Sequence, residues 1–149
     1  MLNPDYSDML RCFHENDVAF LVVGAYAMAV HGFPRATGDI DFWVEPTKEN
    51  APKVISSLKR FGAPVSDLSL ADFATPNVVF QIGVAPCRID ILTSIDGVTF
   101  AEAWPHRTLA KVDTLTIPVL SIADLIRNKL ASGREKDRLD VAELRRIGK

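Results

Sequence analysis

The stretch GDIDFWV, residues 38–44, places two aspartates two positions apart in an otherwise apolar run. If this run is a β-strand, residues i and i+2 point to the same face, and the carboxylates of Asp39 and Asp41 lie side by side. Two close carboxylates repel each other, and a bound divalent cation removes that cost. Carboxylate oxygens suit Mg²⁺ or Mn²⁺. The alternative is that Asp39 caps the strand and Asp41 pairs with a nearby arginine.

A third acid lies in a second apolar run, RIDILTS, residues 88–94. Asp90 is flanked there by Ile89 and Ile91, where a carboxylate is costly unless it is paired or binds a metal. If this run pairs with residues 39–45, Asp90 completes a cluster of three carboxylates. Such a cluster can hold two metal ions that clamp a transferring phosphoryl group. The alternative is an ordinary ion pair with Arg88.

Residues that could meet phosphate surround the paired aspartates. Gly24 ends the apolar run VAFLVVG and permits a tight turn into a helix, whose first N–H groups can bind an anion. Arg35 and Thr37 come just before Asp39, where a guanidinium could contact phosphate oxygens. Alternatively, Gly24 lies in an ordinary turn, and Arg35 is the salt-bridge partner of the aspartates.

A second charged cluster, DLIRNKLASGREKDRLD, occupies residues 124–140. Lys129 lies among apolar neighbours, so its side chain could run along the inner side of a helix. The alternative is a solvated helix face with i, i+4 ion pairs such as Lys136–Asp140.

The order of elements predicts an α+β fold, with a mixed β-sheet, flanking helices and a helical C-terminus over residues 121–147. Pro118 predicts that its strand is an edge strand or ends there. The predicted strands are residues 18–24, 39–45, 78–83, 88–94, 108–112 and 115–120; the predicted helices are residues 4–16, 25–32, 49–62, 121–132 and 136–147.

Length and composition limit the function classes. The 149 residues predict one domain, 1–149, and the net charge of −2 gives no overall attraction to nucleic acid or anionic lipid. Cys12 and Cys87 match no zinc spacing and are expected to be reduced thiols of a cytoplasmic protein. The acidic N-terminus is unlike a signal peptide. The longest apolar stretch, residues 18–30, is shorter than the ~20 residues of a membrane span, so no membrane association is expected.

The segment VVGAYAMAVHGFPRATGDIDFWV, residues 22–44, followed by RIDIL, residues 88–92, resembles the DNA polymerase β-like nucleotidyltransferase superfamily. It is most similar to small prokaryotic nucleotidyltransferase-like proteins related to abortive-infection and toxin–antitoxin nucleotidyltransferases. The superfamily pattern is a strand, a glycine that opens a helix, D-x-D on the next strand and one more Asp on a third. That pattern maps onto Gly24, Asp39 with Asp41, and Asp90, and the resemblance covers roughly residues 18–140.

This resemblance implies a polymerase β-like fold and a metal-dependent transfer of a nucleoside monophosphate. The expected donor is an NTP, with ATP as the first choice, and the acceptor is a hydroxyl on RNA, protein or a small molecule. Two Mg²⁺ or Mn²⁺ ions are implied. The implied roles are catalysis and metal binding by Asp39, Asp41 and Asp90, nucleotide binding by Gly24, Ala25, Arg35, Thr37 and Lys129, and support by Asp137.

Two departures from the superfamily pattern keep a second hypothesis open. Ala25 stands where many active members carry Ser or Gly, and thirteen residues, more than is usual, separate it from Asp39. The chain could therefore be a catalytically silent nucleotidyltransferase fold that acts as an antitoxin or a binding module. A chain of this size has little room for its own acceptor site, so a partner protein or a homodimer is expected to complete it.

Overall fold

The computed structural model describes residues 2–33 and 37–147, and there the chain alternates strands and helices. Seven α-helices and six strands are found in this part of the chain, with a 3₁₀ turn at Trp104–His106. The helices are α1 (Pro4–Glu15), α2 (Gly24–Val30), α3 (Ala51–Phe61), α4 (Leu70–Ala74), α5 (Phe100–Ala103), α6 (Ile122–Ser132) and α7 (Glu135–Ile147). The strands are β1 (Phe20–Val23), β2 (Asp39–Val44), β3 (Val79–Ile82), β4 (Arg88–Leu92), β5 (Thr108–Val112) and β6 (Leu115–Val119).

The six strands form one mixed sheet in the order β3-β4-β2-β1-β6-β5. Strands β2 and β4 are parallel, as are β1 and β6, and the other three pairs are antiparallel. The predicted α+β class, with a mixed sheet and a helical C-terminus, is therefore confirmed. Its most important consequence is that the two strands carrying the aspartates are direct neighbours.

Local sequence signals account for the helix ends. The Asn3 side chain caps α1 by accepting a hydrogen bond from the Asp5 N–H, with Pro4 in the first turn. Ser121 caps α6 in the same way through the Asp124 N–H. Helix α6 ends at Gly133, whose φ of 69° is a left-handed conformation that favours glycine. This stop lets α7 turn back and pack against α6.

The core lies on both faces of the central strands. All four residues of β1 are buried, and Phe13 of α1 packs against Phe20 of β1 in an aromatic cluster. In that cluster the rings of Phe13 and Phe42 meet edge to face at 5.3 Å, and the ring of Phe20 lies 5.0 Å from that of Phe13. This packing makes β1 and β2 a rigid base for the residues at the ends of these strands.

Pro118 predicts either an edge strand or a strand that ends near the proline. The first alternative is wrong, because the strand that contains Pro118 is not at the edge of the sheet. Strand β6 lies between β1 and β5. Its pairing with β1 is limited to the end of the strand, where Val119 lies opposite Val22 and the Leu120 N–H donates to the Val22 carbonyl. The other alternative fits, because β6 ends one residue after the proline, which has no N–H to donate.

Two short helices were not predicted from the sequence. Helix α4 has five residues and α5 has four, too few for a helical apolar pattern to be recognised. Each nevertheless begins with a capping box, Ser69 with Asp72 and Thr99 with Glu102, which was the available signal. No helix in the described part of the chain is both long enough and apolar enough to cross a bilayer.

Candidate active site

The three predicted aspartates meet at one point on the sheet. Asp39 and Asp41 are on β2, and Asp90 is on the parallel strand β4, directly opposite Asp41. One carboxylate oxygen from each residue lies within 4.8 Å of the other two. The i, i+2 spacing brings the first two to one face, and the parallel register adds the third.

Two of the three carboxylates, Asp41 and Asp90, are largely shielded from solvent. Asp90 is only 6% exposed. Burial, followed by the nearby charges of Asp39 and Asp90, raises the pKa of Asp41 to about 7, although the Arg88 guanidinium opposes this shift. The part of this pKa shift that follows burial is repulsion from two neighbouring carboxylates, which a bound cation would relieve.

Arg88 lies beside this cluster on β4. Its Nη2 is 2.7 Å from Asp39 Oδ2 and 3.2 Å from Asp90 Oδ2, and its Nε is 3.0 Å from Asp90 Oδ1. The sequence leaves the cluster of three carboxylates and the ion pair between Asp90 and Arg88 as alternatives. The structure contains both.

Gly24 makes room for Asp41. It is the first residue of α2, its φ is +70°, and β1, which it follows, pairs with β2 at Asp41. A Cβ on this residue would overlap Asp41 Oδ2 and lie 3.3 Å from Asp41 Cγ. Glycine is therefore required twice here, once by the left-handed backbone and once by the carboxylate.

Replacing Gly24 with alanine should displace Asp41 and lower the nucleotidyl transfer that the sequence resemblance implies by at least about 100-fold, a cost of roughly 3 kcal/mol. Gly32→Ala is the matched control, since Gly32 also has a positive φ, +95°, but a Cβ there meets nothing within 4 Å. Both variants should lose about 1–2 kcal/mol of stability from backbone strain. Transfer rates and urea unfolding of the two proteins test this. Equal transfer rates would show that Asp41 tolerates the added methyl group.

A cleft of about 480 Å³ opens beside Asp39 and Asp41, and Asp90 is not among the residues that line it. Thr37 donates a hydrogen bond to Asp39 Oδ1 at 2.9 Å, so its hydroxyl orients a carboxylate. Arg35 lies outside the described residues. The cleft is lined by the predicted residues Gly24, Ala25, Thr37, Asp39, Asp41 and Lys129, together with Val23, Gly38, Leu92, Ile95, Asn128, Arg134 and Lys136.

Within the charged C-terminal segment, Lys129, Asp137 and Asp140 form a buried network, whereas Arg134 and Lys136 are exposed. The Lys129 side chain is 10% exposed, and its Nζ lies 2.9 Å from Asp140 Oδ2 and 3.5 Å from Asp137 Oδ1. Burial alone would raise the pKa of Asp137, but hydrogen bonds from Ser132 and Arg134 hold it below its ordinary value. The alternative of a surface ion pair between Lys136 and Asp140 is therefore wrong, because Asp140 is fully buried and pairs with Lys129.

Two cations in the cleft were not predicted from the sequence as contacts for a ligand. Arg134 lies just after Gly133, with a side chain that is 64% exposed and an Nε that donates to Asp137. Lys136 is exposed on the first turn of α7. The available signal was the glycine itself, because a helix break at residue 133 places the residues that follow it beside the cleft.

The comparisons with known proteins agree with this geometry. Residues 6–148 match the model of a family described as nucleotidyltransferase of unknown function, DUF6036. The chain belongs to this nucleotidyltransferase family. The predicted resemblance is thus confirmed, and family membership indicates a transferase.

A solved structure shares the fold of this family member. It is a Thermotoga maritima protein provisionally described as a nucleotidyltransferase, whose crystal structure has a resolution of 1.87 Å. The two align with a TM-score of 0.62 and 20% identity over 98% of this chain and 93% of the other. At this identity the similarity concerns the fold. No curated protein matches the chain in sequence.

Proposed function

We propose that the protein is a metal-dependent nucleotidyltransferase that moves a nucleoside monophosphate from an NTP, with ATP as the expected donor, to a hydroxyl acceptor. One observation carries the proposal: Asp39, Asp41 and Asp90 converge from two parallel strands, with oxygens within 4.8 Å of one another. Arg134 and Lys136 line the same cleft, so that acidic and basic side chains border one cavity. A metal–triphosphate complex has the charge pattern that suits such a cavity.

The donor set fits a hard divalent cation. All three groups are carboxylates, and the raised pKa of Asp41 reflects first its burial and then the repulsion from Asp39 and Asp90, which a cation would offset. Asp39, Asp41 and Asp90 would hold two Mg²⁺ or Mn²⁺ ions. When bound, these ions lower the pKa of the acceptor hydroxyl and neutralise charge on the phosphates.

The side chains of the chain divide the remaining work. Asp90 accepts the proton of the acceptor hydroxyl. The oxygen of that hydroxyl attacks the α-phosphorus, and the bond between the α-phosphorus and the pyrophosphate leaving group breaks. Thr37 keeps Asp39 oriented, and the backbone around Gly24 and Ala25 lies against the phosphates. Arg134 and Lys136 join Lys129 as the cationic side of the nucleotide site, with Asp137 as the acid that holds this side in place.

The acceptor is RNA, a protein side chain or a small molecule, and a partner protein or a second copy of the chain completes its site. This part of the proposal is supported by size alone, because the cleft of about 480 Å³ is no larger than a nucleotide requires.

The test is incubation of the protein with α-labelled NTPs, Mg²⁺ or Mn²⁺, and mixed cellular RNA and protein. We expect label on one acceptor class, lost when EDTA is added, with ATP giving the strongest signal. Label that persists in EDTA would contradict the metal requirement, and a γ-labelled NTP that also transfers its label would indicate a kinase instead.

A second function is favoured by Ala25. A serine hydroxyl at this position could donate to a phosphate, and a methyl group cannot. A silent nucleotidyltransferase fold that acts as an antitoxin or a binding module would explain this residue. In that case no label is transferred under any metal, and calorimetry detects no binding of ATP with Mg²⁺. The same titration on Ala25→Ser then shows whether the missing hydroxyl accounts for the loss.

A further inference from the structure

Arg88 makes contact with the oxygen atoms that a metal ion would need. Its guanidinium donates to Asp39 Oδ2 and to both oxygens of Asp90, at 2.7–3.2 Å. The remaining oxygen of Asp39 accepts the Thr37 hydroxyl. All four oxygens of these two carboxylates therefore already accept a hydrogen bond from the protein.

The position of Arg88 is fixed by the fold. It lies opposite Asp39 in the parallel register of β2 and β4, and the Arg88 N–H donates to the Gly38 carbonyl at 3.2 Å. The Tyr6 hydroxyl contacts the carbonyl oxygen of the same residue at 3.3 Å. The Arg88 side chain itself is 35% exposed, so it has a route into solvent while its backbone stays in place.

We propose that Arg88 is a positioning residue that competes with divalent cations for the three carboxylates and sets the metal concentration at which the site loads. This inference rests on the proposed metal-dependent function. A guanidinium and a metal ion both neutralise the triad, but they require the same oxygens, so one must leave before the other binds with full coordination. Because Arg88 leaves by a side-chain rotation on a fixed backbone, this exchange needs no change of fold.

Competition with the metal ion and simple support of the aspartates predict opposite effects when Arg88 is removed. If Arg88 only held the aspartates in place, its removal would loosen the site and weaken metal binding. If it competes, its removal frees three carboxylate oxygens and strengthens metal binding. The sign of the change in affinity therefore decides between the two roles.

The experiment is calorimetric titration of Mn²⁺, without nucleotide, into wild type, Arg88→Met and Arg88→Lys. Methionine keeps much of the side-chain length and has no charge, whereas lysine keeps the charge without the two-pronged geometry. We expect the Mn²⁺ Kd of Arg88→Met to be at least tenfold lower than that of wild type. The Kd of Arg88→Lys should lie between the values of wild type and Arg88→Met. Circular dichroism melts confirm that each variant is folded.

A double variant identifies the site. Arg88→Met/Asp41→Asn should lose the gain in affinity, because Asp41 is the proposed ligand to which Arg88 donates no hydrogen bond in the described part of the chain. A folded Arg88→Met protein that binds Mn²⁺ no more tightly than wild type would overturn the inference. So would a double variant that keeps the gain. Neither titration depends on turnover. If the label-transfer assay fails but Arg88→Met binds Mn²⁺ tenfold more tightly, the role of Arg88 stands and the proposed transfer fails. If label is transferred but Arg88→Met shows no gain in Mn²⁺ affinity, only the role of Arg88 fails.

Discussion

Replacing Asp41 with asparagine is expected to abolish nucleotidyl transfer and, in the absence of metal, to stabilise the fold. Transfer should fall at least about 10³-fold, because losing a ligand of the proposed two-metal site removes roughly 4 kcal/mol of transition-state stabilisation. The opposite sign in stability follows from the repulsion between the carboxylates.

The sign of the stability change can be derived from the pKa. Folding raises the pKa of Asp41 from 3.8 to about 7, chiefly through burial and then through Asp39 and Asp90. Its contribution to stability is therefore fully present below pH 3.8 and is lost as the pH rises through 7. The difference corresponds to at most about 4 kcal/mol at pH 8, since one pKa unit is about 1.4 kcal/mol.

Urea unfolding in EDTA at pH 8 and pH 5 measures this effect. Asp41→Asn should be more stable than wild type by about 1–4 kcal/mol at pH 8, and the gap should narrow at pH 5. Asp67→Asn is the control, since Asp67 is exposed in the loop before α4 and should change neither property. An Asp41→Asn protein less stable than wild type at pH 8 would mean that the carboxylate is stabilised by its neighbours rather than strained.

Replacing Lys129 with alanine should cost about 3–5 kcal/mol of stability, because it leaves two buried carboxylates without their shared counter-charge. Lys129 is almost completely buried between α6 and α7, where it bonds to Asp140 and lies near Asp137. The sequence resemblance implies that Lys129 binds nucleotide, so weaker nucleotide binding would be the expected effect of its removal. The ion pairs make loss of stability the first effect.

Chemical denaturation of three variants checks the role of this network. Lys136→Ala is the matched control, because this lysine is in the same segment but exposed, and it should change stability by less than about 0.5 kcal/mol. Lys129→Ala/Asp140→Asn should recover part of the loss by removing one uncompensated charge. A Lys129→Ala protein within about 1 kcal/mol of wild type would show that the ammonium contributes little to the helix pair.

The sequence alone was sufficient for the strands, for the longer helices and for the central pair of acids, but not for the short helices α4 and α5. A strand has a side-chain period of two, so the spacing of Asp39 and Asp41 placed both on one face without any knowledge of the sheet. Helix ends followed from Asn3, Ser121 and Gly133, whose effects act within a few residues. The family pattern of a glycine, D-x-D and a later Asp could be recognised because it too is written in local order.

Only the tertiary structure decided which side chains of different elements come into contact. Pairing of β2 with β4 is a contact between residues far apart in the chain, and only its register shows that Asp90 faces Asp41 and that Arg88 reaches two acids at once. Packing of α7 on α6 likewise buries Lys129 with Asp140, although both carry the charges of a surface helix. Local patterns specify which way a side chain points along its own element, whereas its partners depend on which elements pack together and in what register.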